Sequence, residues 1–338
     1  MIVDIPSLKK TLLNPAIYPD HPKEVRFSET HISLLFFTGN HVYKLKKPVD
    51  FGFLDFTSLE KRKYFCEQEV KLNRRLSPEI YLGVVQITED KGRVLFDGQG
   101  EVVEYAVKMK QIPEEFLMDK LLAKGNVTPN MIGMISEKLV HFYSTAETSE
   151  SIKSFGRPER VQQDTDENFE QTGKYINVTL SKDVYEEVKG RTNNFFKERK
   201  EIFYQRIDES RIRDCHGDLR LEHIFWGDGI SIFDCIEFNE RFRYTDVAAD
   251  IAFLAMDLDY HGREDLTPPL IQTYVEKSGD QGLLEMVDFY KCYRAYVRGK
   301  VESFRLDDPN IPGKEKREAL KRAQKYFNLA YRYAQRFY

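Results

Sequence analysis

The chain has 338 residues, 41% hydrophobic and 31% charged, enough for two compact units or one bilobal domain with buried cores. A formal net charge of −4 gives no broad electrostatic attraction for nucleic acid, and no apolar run approaches the length of a membrane span. Cys66, Cys215, Cys235 and Cys292 are scattered with no C-x-x-C pair, which fits reduced thiols in a cytoplasmic protein better than a disulfide frame or a zinc site.

Residues 1–22 read as a short helix and a turn. Val25 to Phe37 and His41 to Val49 are strand-like runs around Thr38-Gly39-Asn40. Alternation places Val42, Lys44 and Lys46 on one face of the second run. Lysines there either grip phosphate or, together with Lys47, decorate a solvated edge strand. Thr57-Ser58-Leu59-Glu60 is a capping-box pattern that opens a helix running to about Leu76. Phe65, Leu72 and Leu76 form its apolar stripe, with Glu69 on the stripe and Glu67 pointing away. A carboxylate on a buried stripe needs a partner, either a strand lysine or Arg62 or Lys71 at the stripe's edge. Val84 to Thr88, Arg93 to Asp97 and Val102 to Met109 are three further strands, about five in all. Pro113 ends the last of them, and a helix-like EEFLMDKLLAKG follows.

From Thr128 the chain is rich in helix. Pro129 to Ala146 is followed by a polar stretch, Glu147 to Phe169, and by one long charged helix from about Asp183 to Ile207. The stretch from Arg213 to Phe238 carries the densest chemistry. It holds His216-Gly217-Asp218-Leu219-Arg220, then His223, then two apolar runs (Ile224 to Trp226 and Ile230 to Phe233) around Gly227-Asp228-Gly229, a hairpin pattern. Asp234 and Glu237 close it.

Phosphoryl transfer needs a carboxylate to take the acceptor hydroxyl's proton and metal ions to hold the β- and γ-phosphates. A loop with Asp218 and, five residues on, His223 sets a base and a ligand beside one triphosphate, and the hairpin returns a carboxylate. Arg220 suits charge on the transferring group. Asp234 and Glu237 are three apart, so a regular strand sends them to opposite faces, and both are metal candidates. Taken alone, H-x-D-x-x-x-x-H also fits a hydrolase metal triad of His216, Asp218 and His223 with Glu222 as general base.

After this stretch, Val247, Ile251, Leu254 and Leu258 recur one turn apart and mark a buried helix. Asp257, Asp259 and Glu264 suit a cationic acceptor or, the preferred reading, form a solvated acidic loop. Phe289 to Phe304 is an aromatic core helix. Lys314 to Tyr338 is amphipathic, with Ala319, Ala323, Phe327, Ala330, Ala334 and Phe337 on one face and a basic opposite face.

The H-G-D-L run, Ile236-Glu237-Phe238 in place of I-D-[WF], and Thr245 to Ala252, like G-D-P-x-x-D-L-A, resemble the aminoglycoside phosphotransferase and choline kinase-like family of small-molecule kinases. The resemblance runs from about Val25 to Leu306. It is nearest to a bacterial branch often fused to a P-loop ATPase domain. It implies an α+β, bilobal protein-kinase-like fold: an antiparallel-sheet lobe over residues 1–110 and a mostly helical lobe over 111–338. It further implies an ATP- or GTP-dependent phosphotransferase with Mg²⁺, or Mn²⁺ as the alternative, acting on a hydroxyl of a small molecule, with no nucleic acid or membrane partner. Asp218 would be the catalytic base with Arg220 beside it. Lys44, with Lys46 as its rival, would hold the α- and β-phosphates with Glu69 as partner. Backbone around Met109 to Gln111 would bind adenine, and His223, Asp234 and Glu237 would bind metal, Glu237 slightly favoured by its local context. Asp246 and Asp250 would brace the catalytic loop through backbone hydrogen bonds.

Three departures bear on activity. His223 stands where the family has Asn, and imidazole suits manganese, iron or zinc better than magnesium. The outcomes are magnesium bound through water, manganese instead, or loss of one metal site in a nucleotide-binding pseudokinase. The candidate phosphate loop, Phe27-Ser28-Glu29-Thr30-His31, has no glycine. No G-x-x-x-x-G-K-[ST] occurs, so the ATPase partner is missing from these residues.

Overall fold

The strand that carries the paired lysines lies inside a sheet, not at its edge. The computed structural model describes residues 5–337. The first four residues of the expected leading segment and Tyr338 of the expected terminal helix lie outside the described residues. Strands β1 (Arg26–Glu29), β2 (Ser33–Phe37), β3 (His41–Lys46), β4 (Tyr81–Asp90), β5 (Arg93–Phe96) and β6 (Glu101–Lys110) pair in the order β1-β2-β3-β6-β4-β5. All five pairings are antiparallel. An antiparallel-sheet unit and a mostly helical unit make up the α+β class expected from the sequence. The chain divides into Met1–Lys124 with Glu222–Glu240, and Gly125–Leu221 with Arg241–Tyr338.

Period-two alternation along β3 sets the layout of the first unit. Tyr43 and Leu45 enter one apolar cluster with Leu34, Phe36, Ile87, Phe96 and Ala106, covered by Leu8 and Leu12 of α1 (Ile5–Leu12). Val42, Lys44 and Lys46 therefore share the other face. On the α2 (Leu59–Asn73) side, Cys66 and Val70 pack against Ile80, Tyr81 and Val107. Val25 to Phe37, read as one strand, folds back on itself because Thr30 accepts hydrogen bonds from the Ile32 and Ser33 amides through its hydroxyl. The cap of α2 also falls one residue later than the capping-box pattern: Ser58 is the N-cap, its hydroxyl accepting from Lys61 N. A 3-10 turn (Glu114–Phe116) and α3 (Met118–Ala123) follow the sheet. The expected hairpin is present, with Ile224 opposite Ile232 and Trp226 opposite Ile230.

The helical unit contains α4 (Pro129–Thr145), α5 (Glu150–Lys153), α6 (Pro158–Thr172), α7 (Lys182–Glu198) and α8 (Lys200–Asp208). It continues with α9 (Val247–Tyr260), α10 (Thr267–Ser278), α11 (Leu283–Phe304) and α12 (Gly313–Ala334). Every residue of α9 from Val247 to Asp259 is buried, which makes it the unit's central strut. The stretch read as one helix from Asp183 to Ile207 breaks at Arg199, which leaves helical geometry with φ −120° and ψ 24°. The break lets rings from both halves meet one residue of α11: Phe195 stacks on Phe289 at 4.6 Å, and Phe203 meets it edge-on at 5.6 Å. Strand 212–214 pairs antiparallel with 244–246 and leads into the H-G-D-L loop. All four cysteines are buried and none is in a disulfide, and among the described residues no helix is long and apolar enough to cross a membrane.

Candidate functional site

In the sheet unit, five charged side chains form a chain of contacts. Lys44 Nζ lies 2.8 Å from both Asp234 Oδ1 and Glu69 Oε1. Lys46 Nζ lies 2.8 Å from Glu69 Oε2 and also pairs with Glu237. Glu69 and Lys46 are each only 1% exposed, and the Lys46 ammonium sits 4.9 Å from the Phe56 ring centroid. Arg62, one of the edge partners open to Glu69, is turned instead to Glu104. Burial alone would raise the Glu69 carboxyl, but the two ammonium groups outweigh it and hold it below the usual carboxylate range. Burial pushes the Glu237 carboxyl up, with Lys46 only partly offsetting it. Both lysines are held protonated, since the carboxylates more than cancel the pull of burial.

The two candidate carboxylates of the hairpin differ in access. Glu237 is 8% exposed and closed off by Lys46. The Asp234 side chain is 44% exposed, and its Oδ2 lies 3.5 Å from His223 Nε2. Asp234 has φ +61°, a left-handed backbone that Asp tolerates better than most residues. Three residues that sequence reasoning missed hold it there. Tyr81 Oη accepts from Asp234 N (3.2 Å), Asn73 Oδ1 accepts from Cys235 N (2.8 Å), and the Ser77 hydroxyl donates to Ile232 O (2.6 Å). Asn73 lies four residues after Glu69 on the same helix, and a second polar group on a buried stripe was the available signal.

Met109 is paired with both Val42 and Tyr81 at the end of β6. The Lys110 and Gln111 amides already donate to Ile80 O and Asn40 O, and the Gln111 side chain accepts from Gly39 N.

In the helical unit, α9 presents two carboxylates to the H-G-D-L loop. Asp250 accepts from His216 N (2.7 Å) and Gly217 N (3.0 Å), with Tyr143 Oη donating to it at 3.1 Å. Gly217 has φ +87°, which explains glycine in this position. Asp257 accepts from Leu221 N at 2.9 Å. Asp246, expected to brace the loop, does not contact its backbone amides: it caps α9 through Ala248 N and grips the buried Arg206 guanidinium with both oxygens. Nor do Asp257 and Asp259 form a solvated loop. Both are buried, and Asp259 is held by Tyr333 Oη, Thr267 Oγ1 and Lys291. Glu264, which is exposed, pairs with Arg332.

Between these anchors, Arg220 Nε and Nη2 donate to Asp218 Oδ1 (2.9 Å) and Oδ2 (2.8 Å), a two-pronged pairing with the expected base. His216 is fully buried, and its Nδ1 accepts from Asp218 N at 3.3 Å. Among the described residues no three His, Cys, Asp or Glu side chains are grouped to hold a metal by themselves. What the sheet unit offers a divalent ion is the His223 imidazole with two accessible carboxylates near its Nε2, Asp234 at 3.5 Å and Glu222 at 3.9 Å. The carboxylates suit magnesium, with water and substrate phosphates completing its shell, whereas direct ligation by the imidazole suits manganese better.

No family model matches the chain. Uncharacterized protein Rv2004c of Mycobacterium tuberculosis and uncharacterized protein Mb2027c of Mycobacterium bovis are each 33% identical over 279 residues, 82% of this chain and 54% of theirs. The chain thus spans about half the length of the curated relatives it matches. A choline/ethanolamine kinase family protein from Mesorhizobium loti aligns over 97% of this chain and 99% of its own, with TM-score 0.50 and 11% identity. A Ralstonia eutropha protein described as a candidate aminoglycoside phosphotransferase aligns over 92% of each chain, with TM-score 0.51 and 14% identity. The chain has the kinase-like fold of these proteins, and likeness at this level of identity shows the fold alone.

Proposed function

We propose that the chain is a nucleotide-dependent phosphotransferase that moves the γ-phosphoryl of ATP, or GTP, to a hydroxyl of a small molecule. The observation that carries this reading is the convergence on Lys44 of a helix glutamate and a hairpin aspartate, each 2.8 Å from its ammonium. A strand lysine braced by Glu69 is suited to the α- and β-phosphates. Lys44 takes this role because Lys46 is sealed between Glu69, Glu237 and Phe56. Asp234, with His223 beside it, would hold the divalent ion, which supplies charge neutralisation on the phosphates. Glu237 supports the segment by pairing with Lys46. Backbone at Met109 to Gln111 would meet the base, most directly through carbonyl groups, since two of the amides are committed.

Asp218 accepts the proton of the acceptor hydroxyl and orients its oxygen. Arg220 holds Asp218 in place and, on turning from it, neutralises charge on the transferring group. The names of the fold neighbours suggest cationic amino-alcohols and aminoglycosides as first acceptors to try. The test is a screen of hydroxyl acceptors with γ-labelled ATP, with Mg²⁺ and Mn²⁺ in parallel. Label transfer to one class that disappears in Asp218→Asn supports the proposal. Absence of any Mg·ATP-dependent thermal shift refutes it.

A second reading, a nucleotide-binding module that transfers nothing, is favoured by one observation. Both oxygens of Asp218 are already taken by Arg220. ATP binding without transfer to any acceptor is its signature.

A further inference from the structure

Two lysines on one strand share one buried glutamate, and their access to solvent is unequal. Lys46 donates to Glu69 Oε2 and to Glu237. Lys44 donates to Asp234. Lys44 also lies 2.8 Å from Glu69 Oε1, so each oxygen of Glu69 faces one ammonium. The lysine on Oε2 is sealed at 1% exposure, whereas the one on Oε1 remains 14% exposed.

The charges explain why this matters. Without Lys46, Lys44 would stand against three carboxylates, Glu69, Asp234 and Glu237, a local sum of minus two that would repel incoming phosphates, and Lys46 brings it to minus one. A buried carboxylate without a partner is costly, so Glu69 alone would hold the Lys44 ammonium tightly. Lys46 removes that demand.

We propose that Lys46 is a positioning residue: it serves as the permanent counter-ion of Glu69, so that the Lys44 ammonium is released to the nucleotide phosphates. Lys46 acts through Glu69 and does not touch nucleotide. The inference rests on the assignment of Lys44 as the phosphate-gripping residue, and the experiment separates the two.

Mg·ATP and adenosine affinities are measured by calorimetry for wild type, Lys44→Met, Lys46→Met, Glu69→Gln and Lys46→Met/Glu69→Gln. Adenosine, which has no phosphate, reports on the fold of each variant. Lys46→Met weakens ATP by about tenfold, the scale of one coupled charge pair, and leaves adenosine within about threefold. Adding Glu69→Gln removes the charge that Lys46 neutralises, so the double variant regains ATP affinity to within about threefold of Glu69→Gln alone. Lys46→Met also strips Glu237 of its partner. The set is therefore repeated in a Glu237→Gln background, which keeps the buried charges balanced if the simpler variant unfolds.

If Lys44→Met weakens ATP but Lys46→Met does not, the counter-ion role is wrong while the phosphate grip of Lys44 stands. If Glu69→Gln fails to restore affinity, Lys46 contacts phosphate directly and the proposal is overturned. If Lys44→Met leaves ATP affinity unchanged, the underlying assignment falls, and this inference with it.

Discussion

Arg220 grips Asp218 with two parallel hydrogen bonds of 2.9 and 2.8 Å, from a position only two residues along the same loop. A planar guanidinium and a planar carboxylate fit each other in this way with little entropy lost per bond. Asp218 remains 24% exposed on its side chain, so the pairing orients the carboxylate without sealing it off.

Replacing Asp218 by Asn keeps the shape and much of the hydrogen bonding, and removes the proposed proton acceptor. Turnover is expected to fall about 10²–10⁴-fold, the usual range for a positioned acid–base group. ATP affinity should stay within a few-fold, since the proposed phosphate grip is Lys44 and a metal ion. Single-turnover transfer and calorimetry on the same preparation check both halves. Transfer at the wild-type rate would remove Asp218 from the role of base.

Asp234→Ala and Glu237→Ala test the proposed division between metal ligand and supporting residue. Asp234 is the accessible carboxylate, so its loss should weaken Mg·ATP far more than it weakens adenosine. Glu237 is buried on Lys46, so its loss should lower the melting temperature instead, by an amount corresponding to roughly 1–3 kcal/mol for an orphaned buried group. If Glu237→Ala abolishes the Mg²⁺ dependence of ATP binding while Asp234→Ala leaves it intact, the assignment is reversed.

Much of this arrangement was legible because it is local. Glu69 stands out as a carboxylate on an apolar stripe, H-G-D-L is a contiguous motif, and the hairpin is announced by its turn residues. Depth was not legible. Alternation places Lys44 and Lys46 on the same face of β3, but nothing local says that one is solvated and the other sealed beneath Phe56. The supports of Asp234 were hidden for a different reason. Tyr81 and Asn73 lie 153 and 162 positions away from the amides that they bind. Helix α6 escaped because its buried face includes Thr165, Asn168 and Thr172 beside Phe169, so hydrophobic periodicity gave no signal. Asp246 and Asp250 look alike in sequence, one turn apart on the same helix. Only the buried Arg206 distinguishes the cap from the loop brace.

Lys300 provides a test by pH. Its ammonium donates to Gln171 Oε1 at 2.8 Å, and burial, against the pull of Glu167, brings its pKa down to about 8. The unfolded chain keeps this lysine protonated up to its ordinary value near 10.5, so between the two values the unfolded state binds more protons and stability gains from rising pH. The cost of the buried charge is thus full below about pH 8 and relieved by about pH 10.5. Lys300→Met lacks this contribution. The melting-temperature difference, variant minus wild type, should be constant below pH 7.5 and fall steadily between pH 8 and 10. A difference that stays flat across that range would contradict the shifted pKa.

The last test concerns how α9 holds the loop on both sides of Asp218. Asp250 takes the His216 and Gly217 amides, Asp257 takes the Leu221 amide, and the two carboxylates stand at i and i+7. Seven residues are about two helical turns, roughly 10 Å of rise, so both project from one side of a helix that is buried along almost its whole length. The loop is thereby spanned between two fixed points, and the Leu219 and Leu221 side chains, both fully buried, seat it further. Asp257→Ala leaves the Leu221 amide buried without an acceptor, at a cost of about 1–3 kcal/mol. Asp257→Asn retains a carbonyl oxygen that can accept the same bond. The alanine variant should melt lower and transfer phosphate more slowly at saturating substrate, with ATP affinity little changed, because the proposed phosphate grip, Lys44, belongs to the other unit. The asparagine variant should recover most of both losses. If the two variants are equally impaired in turnover, the charge of Asp257 rather than its hydrogen bond is what matters. If neither slows transfer, the distal anchor is dispensable and Asp250 alone positions the base.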